Sequence, residues 1–149
     1  MKNILFLVFL LNLSLFSYDR ISELNMYCEE DKNSFACNEI GYAYQWGIDI
    51  KKNLKKANIY YRKGCNLGNT GACNNLAYSY EKGLGMSKNY DMAIKLYTNA
   101  CNKKNGISCN NLAYIYYDIK NDLKSAKKYF KKSCDLGYEV ACKKYSFIK

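Results

Sequence analysis

Apolar residues recur at intervals of three and four along most of the chain, and short polar stretches with glycine at their edges separate these segments. No proline interrupts them. This is the period of an amphipathic helix, so the pattern predicts an all-α fold. The helices alternate between two kinds. A helices are expected at Ser34–Trp46, Thr70–Lys82, Ile107–Asp118 and Glu139–Phe147, and B helices at Ile21–Glu29, Leu54–Asn66, Asp91–Lys103 and Leu123–Asp135. Gly47 and Gly83 end the first two A helices, and Gly68 and Gly137 end two B helices, where a left-handed residue closes the last turn. The A-to-B loops, Ile48–Asn53 and Leu84–Asn89, are short enough to force antiparallel neighbours.

The same pattern is also a repeat. The stretch Ala72–Tyr80 returns 36 residues later as Ser108–Tyr116, with weaker copies starting at Ala36 and Ala141. Small residues stay in register from copy to copy. Ala57, Ala93 and Ala126 form one column on the B helices, Gly64, Ala100 and Ser133 a second, and Gly41, Ala77, Ala113 and Ser146 a third on the A helices. Large residues alternate with them: Tyr61, Tyr97 and Phe130 on B, and Ile40, Leu76 and Leu112 on A. Most of the 16 tyrosines therefore fall at core spacing, which favours packing over a ligand-stacking stripe.

Eight cysteines lie on the same repeat, as Cys28 with Cys37 and then three C-x7-C pairs. The first of each pair falls in the last turn of a B helix and the second in the first turn of the next A helix. Eight cysteines allow 105 pairings. Repeat symmetry selects Cys28–Cys37, Cys65–Cys73, Cys101–Cys109 and Cys134–Cys142. Zinc is disfavoured because histidine is absent and zinc sites bring thiolates two to four residues apart, so no metal and no cofactor is expected.

Lys2 followed by an apolar run from Ile4 to Phe16 and then Ser17 reads as a secretory signal peptide covering residues 1–17. The run is short against the roughly 20 residues that span a bilayer, so no membrane span is expected after cleavage. Residues 18–149 then form one repeat domain with units at about 18–33, 34–69, 70–105 and 106–138, and a closing helix at 139–149. Export and paired cysteines agree on a periplasmic or secreted location. The net charge is +10. Lys124, Lys127, Lys128 and Lys131 share one helix face with Lys132 beside them, and Lys51, Lys52, Lys55 and Lys56 gather at a loop. These clusters read as a solvated face, with attraction to an anionic surface as the functional alternative. Nucleic acid is not expected of an exported chain without a reading motif.

The segment Leu76-Ala77-x-x-Tyr80-x-x-Gly83, followed by Asp91-x-Ala93-x-x-Leu96-Tyr97-x-x-Ala100, resembles the Sel1-like repeat, a relative of the tetratricopeptide repeat. With cysteines at the helix junctions it is similar to the Helicobacter cysteine-rich protein family. The resemblance implies a right-handed superhelix of α/α hairpins with one disulfide per repeat. It also implies a penicillin-binding protein with weak β-lactamase activity. The sequence departs from the pattern at Ile119, where a glycine should end the third A helix, and in the following loop, which lacks three residues. A tighter or reshaped turn is expected there.

Candidate chemistry is sparse. A serine β-lactamase needs Ser-x-x-Lys, Ser-x-Asn and Lys-Thr-Gly. Ser79/Lys82, Ser125/Lys128 and Ser146/Lys149 fit the first and Ser87-Lys88-Asn89 the second, but no Lys-Thr-Gly exists. A β-lactam or peptidoglycan-derived small molecule thus rests on the resemblance. Asn38, Asn74, Asn75, Asn110 and Asn111, which follow the second cysteines of the first three pairs, offer amides suited to a peptide backbone or a sugar, or to satisfying the helix's own first turn. Asn75 and Asn111, with Tyr78 and Tyr114 nearby, are the candidate contacts along a groove lined by A helices. The expected function is binding of a protein segment or cell-wall-derived ligand in that groove.

Overall fold

The structure is a computed structural model that describes residues 20–148. The leader expected at 1–17 lies outside the described residues. Among the described residues every regular element is helical: α1 (20–29), α2 (Ser34–Trp46), α3 (Leu54–Asn66), α4 (Thr70–Lys82), α5 (Tyr90–Asn102), α6 (Gly106–Tyr114), α7 (Leu123–Asp135) and α8 (Glu139–Phe147). The odd numbers are B helices and α2, α4, α6 and α8 are A helices. Observed ends match the expected ones within a residue except for the third A helix. That helix passes at Ile115 into a π-helical segment, Ile115–Ile119.

The starts of α2 to α7 are each set by one side chain. Asn33, Asn53, Asn69, Asn89 and Asn105 cap α2 to α6, each amide oxygen accepting a backbone N–H two or three residues on. An uncapped first turn leaves such donors orphaned, and an Asn cap is worth about 1 kcal/mol. Asp122 takes the place for α7, and its hydrogen bonds with Ser125 hold the carboxyl below the usual carboxylate range. Tyr138 precedes α8 without a side-chain cap.

Helix ends follow the repeat until the third copy. Gly47 and Gly83 are left-handed at φ 74° and 73°. Asn53 N–H then bonds Tyr44 O, and Asn89 N–H bonds Tyr80 O, each at 2.8 Å. In the third copy Asp122 N–H bonds the equivalent carbonyl, Tyr116 O, at the same 2.8 Å, although three residues are missing between. The helix absorbs the difference by widening: Lys120 N–H reaches Ile115 O, a five-residue step. The reshaped turn expected at Ile119 is thus a π segment.

The chain forms two compact units, Met1–Gly68 and Asn69–Lys149. In the first, Cys28, Ala36, Cys37 and Ile40 make the core with Leu24, Tyr27, Tyr44 and Tyr60 against them. Tyr61 is wholly buried and lies so close to α2 that a Cβ on Gly41 would meet its ring at 2.6 Å. Its hydroxyl donates to Gln45 Oε1 at 2.8 Å. The second unit has two linked clusters. One contains Ala77, Ala93, Tyr97, Leu112 and Ile115, and the other Ala113, Ala126, Phe130 and Ala141. Tyrosines at core spacing are therefore mostly structural, with Tyr44 and Tyr60 stacked at 5.7 Å and Tyr116 and Tyr129 at 5.5 Å.

Cys28–Cys37, Cys101–Cys109 and Cys134–Cys142 are bonded as expected, Cys65 and Cys73 are also disulfide-bonded, and no cysteine is free. Cα separations of 4.6 to 4.8 Å lie in the ordinary range for a disulfide. Four disulfides suggest an oxidising, extracytoplasmic environment. Among the described residues no helix is long and apolar enough to cross a membrane.

Gly41→Ala is expected to lower stability by about 1 to 3 kcal/mol, because the added methyl must displace a buried ring; denaturant melts of the oxidised protein measure it. Limiting reductant should open Cys134–Cys142 first, since both of its cysteines are partly exposed whereas Cys101, Cys109, Cys28 and Cys37 are buried. Thiol trapping followed by peptide mapping identifies the first bond lost.

Candidate functional site

The expected contacts Asn75, Tyr78, Asn111 and Tyr114 all lie on A helices of the Asn69–Lys149 unit, but they do not play one role. Tyr78 is exposed, with Lys82 Nζ 5.8 Å from its ring centroid. Tyr114 is half-buried and set edge-on to Phe130 at 5.0 Å. Asn111 is turned toward its neighbours: its amide donates to Asn74 Oδ1 at 3.1 Å and hydrogen-bonds the Tyr97 phenol. Asn75 accepts from the Asn74 amide at 3.4 Å.

These bonds belong to a polar network that joins α4, α5 and α6. Tyr97, wholly buried, donates its hydroxyl to Glu81 Oε2 at 3.0 Å. Burial and the Glu81 carboxylate push that phenol far above its ordinary range, so it remains a donor. Ser108 Oγ donates to Asn74 Oδ1 at 3.1 Å beside Asn111. Asn74, not singled out as a contact from the sequence, is therefore the hub. Of the repeated asparagines, Asn74 and Asn111 form one rung of a ladder, linking α4 to α6.

One repeat later each partner changes. In register, Ser108 becomes Ala141, Asn111 becomes Lys144, Tyr97 becomes Phe130 and Glu81 becomes Tyr117. Asn110 stands where Asn74 stood, and its Oδ1 is buried with no hydrogen-bond partner among the described residues. Lys144 instead places its ammonium 5.7 Å from the Tyr114 ring centroid. Where the network is lost a cleft of about 720 Å³ opens. Tyr117, Leu123 and Phe130 line one part of it, and Val140, Phe147 and Ile148 from α8 another. Lys143 and Lys144 complete the lining, which holds no acidic residue. Tyr117, Leu123, Val140 and Phe147 are exposed, Phe147 at 82%. Tyr78 on α4 and Ile107 on α6 are further exposed apolar side chains of the unit.

The Ser-x-x-Lys residues are engaged elsewhere, apart from Lys149, which lies outside the described residues. Ser79 is buried and donates to Asn75 O, while Lys82 pairs with Glu81 at 2.6 Å. Lys128 lies 5.5 Å from the Tyr129 ring centroid, and Ser146 Oγ donates to Lys143 O. Among the described residues no cluster of His, Cys, Asp and Glu could hold a metal ion. The lysines of the loop after α2 and most of those on α7 are exposed, with Lys131 paired to Asp135 at 2.8 Å.

Ala141→Ser is expected to raise stability by about 1 kcal/mol by giving Asn110 Oδ1 the donor that Ser108 gives Asn74. The measurement is a denaturant midpoint at unchanged slope. An unchanged or lowered midpoint counts against the ladder as a stacking device.

The Sel1 repeat model matches residues 34–69, 70–105 and 106–138 in tandem. Among solved structures, a Sel1 repeat protein from Oxalobacter formigenes aligns with a TM-score of 0.75 at 27% identity, over 89% of this chain and 58% of that one. A protective antigen of uropathogenic Escherichia coli with an SLR fold aligns at 0.70 and 23% identity, over 84% of this chain and 32% of that one, which speaks to fold alone. Helicobacter pylori cysteine rich protein B aligns at 0.57 and 32% identity, over 60% of this chain and 66% of that one. The chain thus spans less than two thirds of the length of these relatives. No curated protein matches it. Three contiguous repeats covering most of the chain, built of helix pairs and accompanied by four disulfides, establish that it belongs to the Sel1 repeat family.

Proposed function

We propose that the protein is an exported, disulfide-stapled repeat module that binds a peptide segment of a partner protein along the A-helix face of its Asn69–Lys149 unit. The observation that carries this reading is the open cleft lined by the exposed apolar side chains Tyr117, Leu123, Val140 and Phe147, with Tyr78 and Ile107 also exposed on earlier A helices of the unit. A contiguous apolar surface exposed to water marks an interaction site. A protein segment fits better than a cell-wall sugar. Sugars need many hydrogen-bonding groups, whereas Asn111 is engaged within the fold and the cleft lining is chiefly aromatic and aliphatic. Export is supported by the apolar run Ile4–Phe16 after Lys2 and by the absence of a free cysteine. Penicillin binding and β-lactam hydrolysis come from the family resemblance alone; the burial of Ser79 gives them no support.

Panning the oxidised protein against a displayed library of random 12-residue peptides tests this. Enriched peptides should carry bulky apolar residues and lose at least tenfold in affinity when Tyr117 and Phe147 are both changed to Ser. Enriched peptides indifferent to that double change, or no enrichment, would overturn the reading.

A further inference from the structure

We infer that the cleft between the π segment, α7 and α8 is selective for an acidic peptide anchor: a bulky apolar residue flanked by Asp or Glu. This rests on the peptide-binding reading above and names the chemistry of its strongest contact. The cleft arises from departures in the repeat, which is what distinguishes it from an incidental hollow. In the copy before, the same place is closed by Glu81, Tyr97 and Asn111, a carboxylate, a phenol and an amide bonded to one another. In the last copy those positions hold Tyr117, Phe130 and Lys144. The carboxylate is gone, the phenol has lost its hydroxyl, and a cation replaces the neutral amide. The shortened turn makes the fourth change, since it winds Tyr117 into the π segment; such segments recur at functional sites.

Charge selects the occupant. Lys143 and Lys144, both exposed, are the charged residues of the lining; Asp118, Asp122 and Glu139 each stand next in sequence to a lining residue, and Asp122 is engaged in capping α7. Asp91, the acidic residue that Lys120 meets at 3.3 Å, is engaged there. An apolar side chain entering beside two lysine ammoniums gains from a neighbouring carboxylate and is opposed by a neighbouring lysine. A second copy of this chain would carry the same excess of positive charge to the site, so self-association is disfavoured.

Fluorescence anisotropy with oxidised protein and three labelled 12-residue peptides tests the inference: a central Leu-Phe pair flanked by Glu, the same pair flanked by Lys, and an Ala-Ala pair flanked by Glu. The Glu-flanked Leu-Phe peptide should bind at least tenfold more tightly than either of the others, and raising salt should narrow its lead over the Lys-flanked one. The double change Lys143→Glu with Lys144→Glu should reverse the order of the two Leu-Phe peptides while leaving the melting curve in place, as both side chains are exposed. Equal binding of the two Leu-Phe peptides would overturn the charge selectivity and leave peptide binding standing. No binding by any peptide would remove both readings. Displacement of the Glu-flanked peptide by decanoate at equal concentration would identify a site for anionic amphiphiles and overturn the inference.

Discussion

A buried ring pressed against a small residue sets the geometry of every hairpin described here. Tyr61 lies on Gly41, and Tyr97 and Phe130 share clusters with Ala77 and Ala113. The ring fixes how near the two helices come, and close packing leaves little room to vary that distance. It also dictates what polar chemistry must accompany it. A phenol carried into the core needs a partner at its far end, so Gln45 and Glu81 stand where the hydroxyls of Tyr61 and Tyr97 emerge. When the ring becomes Phe130 that need vanishes, and with it the reason to keep a carboxylate and an amide nearby. The cleft lies where that oxygen, the carboxylate and the amide are all replaced.

Most of the fold was legible in the residues. Period, small-residue columns and cysteine spacing are local signals, and each hairpin is a local structure, so helix ends and disulfides could be placed without knowing the tertiary arrangement. The missing glycine at Ile119 flagged the one irregular turn, although nothing in the sequence said that the helix would widen while keeping its bond to Tyr116 O. The asparagine caps leave a regular mark in the sequence. Asn33, Asn69 and Asn105 each stand four residues before a second cysteine, and Asn53 and Asn89 each stand four before a column alanine.

The site was less legible for a physical reason. An asparagine at a given helix position can face water or the next repeat, and its chemical type does not say which. Asn75 and Asn111 were read as one pair of ligand contacts, yet the fold ties Asn111 to Asn74 and Tyr97. Tyr78, free of that network, stayed on the exposed face. The cleft depends on three residues from three segments changing together, which becomes visible only when the repeats are compared position by position with the structure in hand.

The three disulfides assigned above each enclose a loop of only eight or nine residues. Under tension such a clasp hides little chain, about 30 Å of contour at full extension. The bonds lie at the junctions, where they tie neighbouring hairpins end to end, and none runs across a hairpin from one helix to its antiparallel mate. A pulled molecule could therefore yield hairpin by hairpin while its junctions stay knotted, lengthening in steps in place of a single rupture. In an oxidising, extracytoplasmic environment that is a form of toughness: a module that gives, holds, and can refold with its junctions already in register.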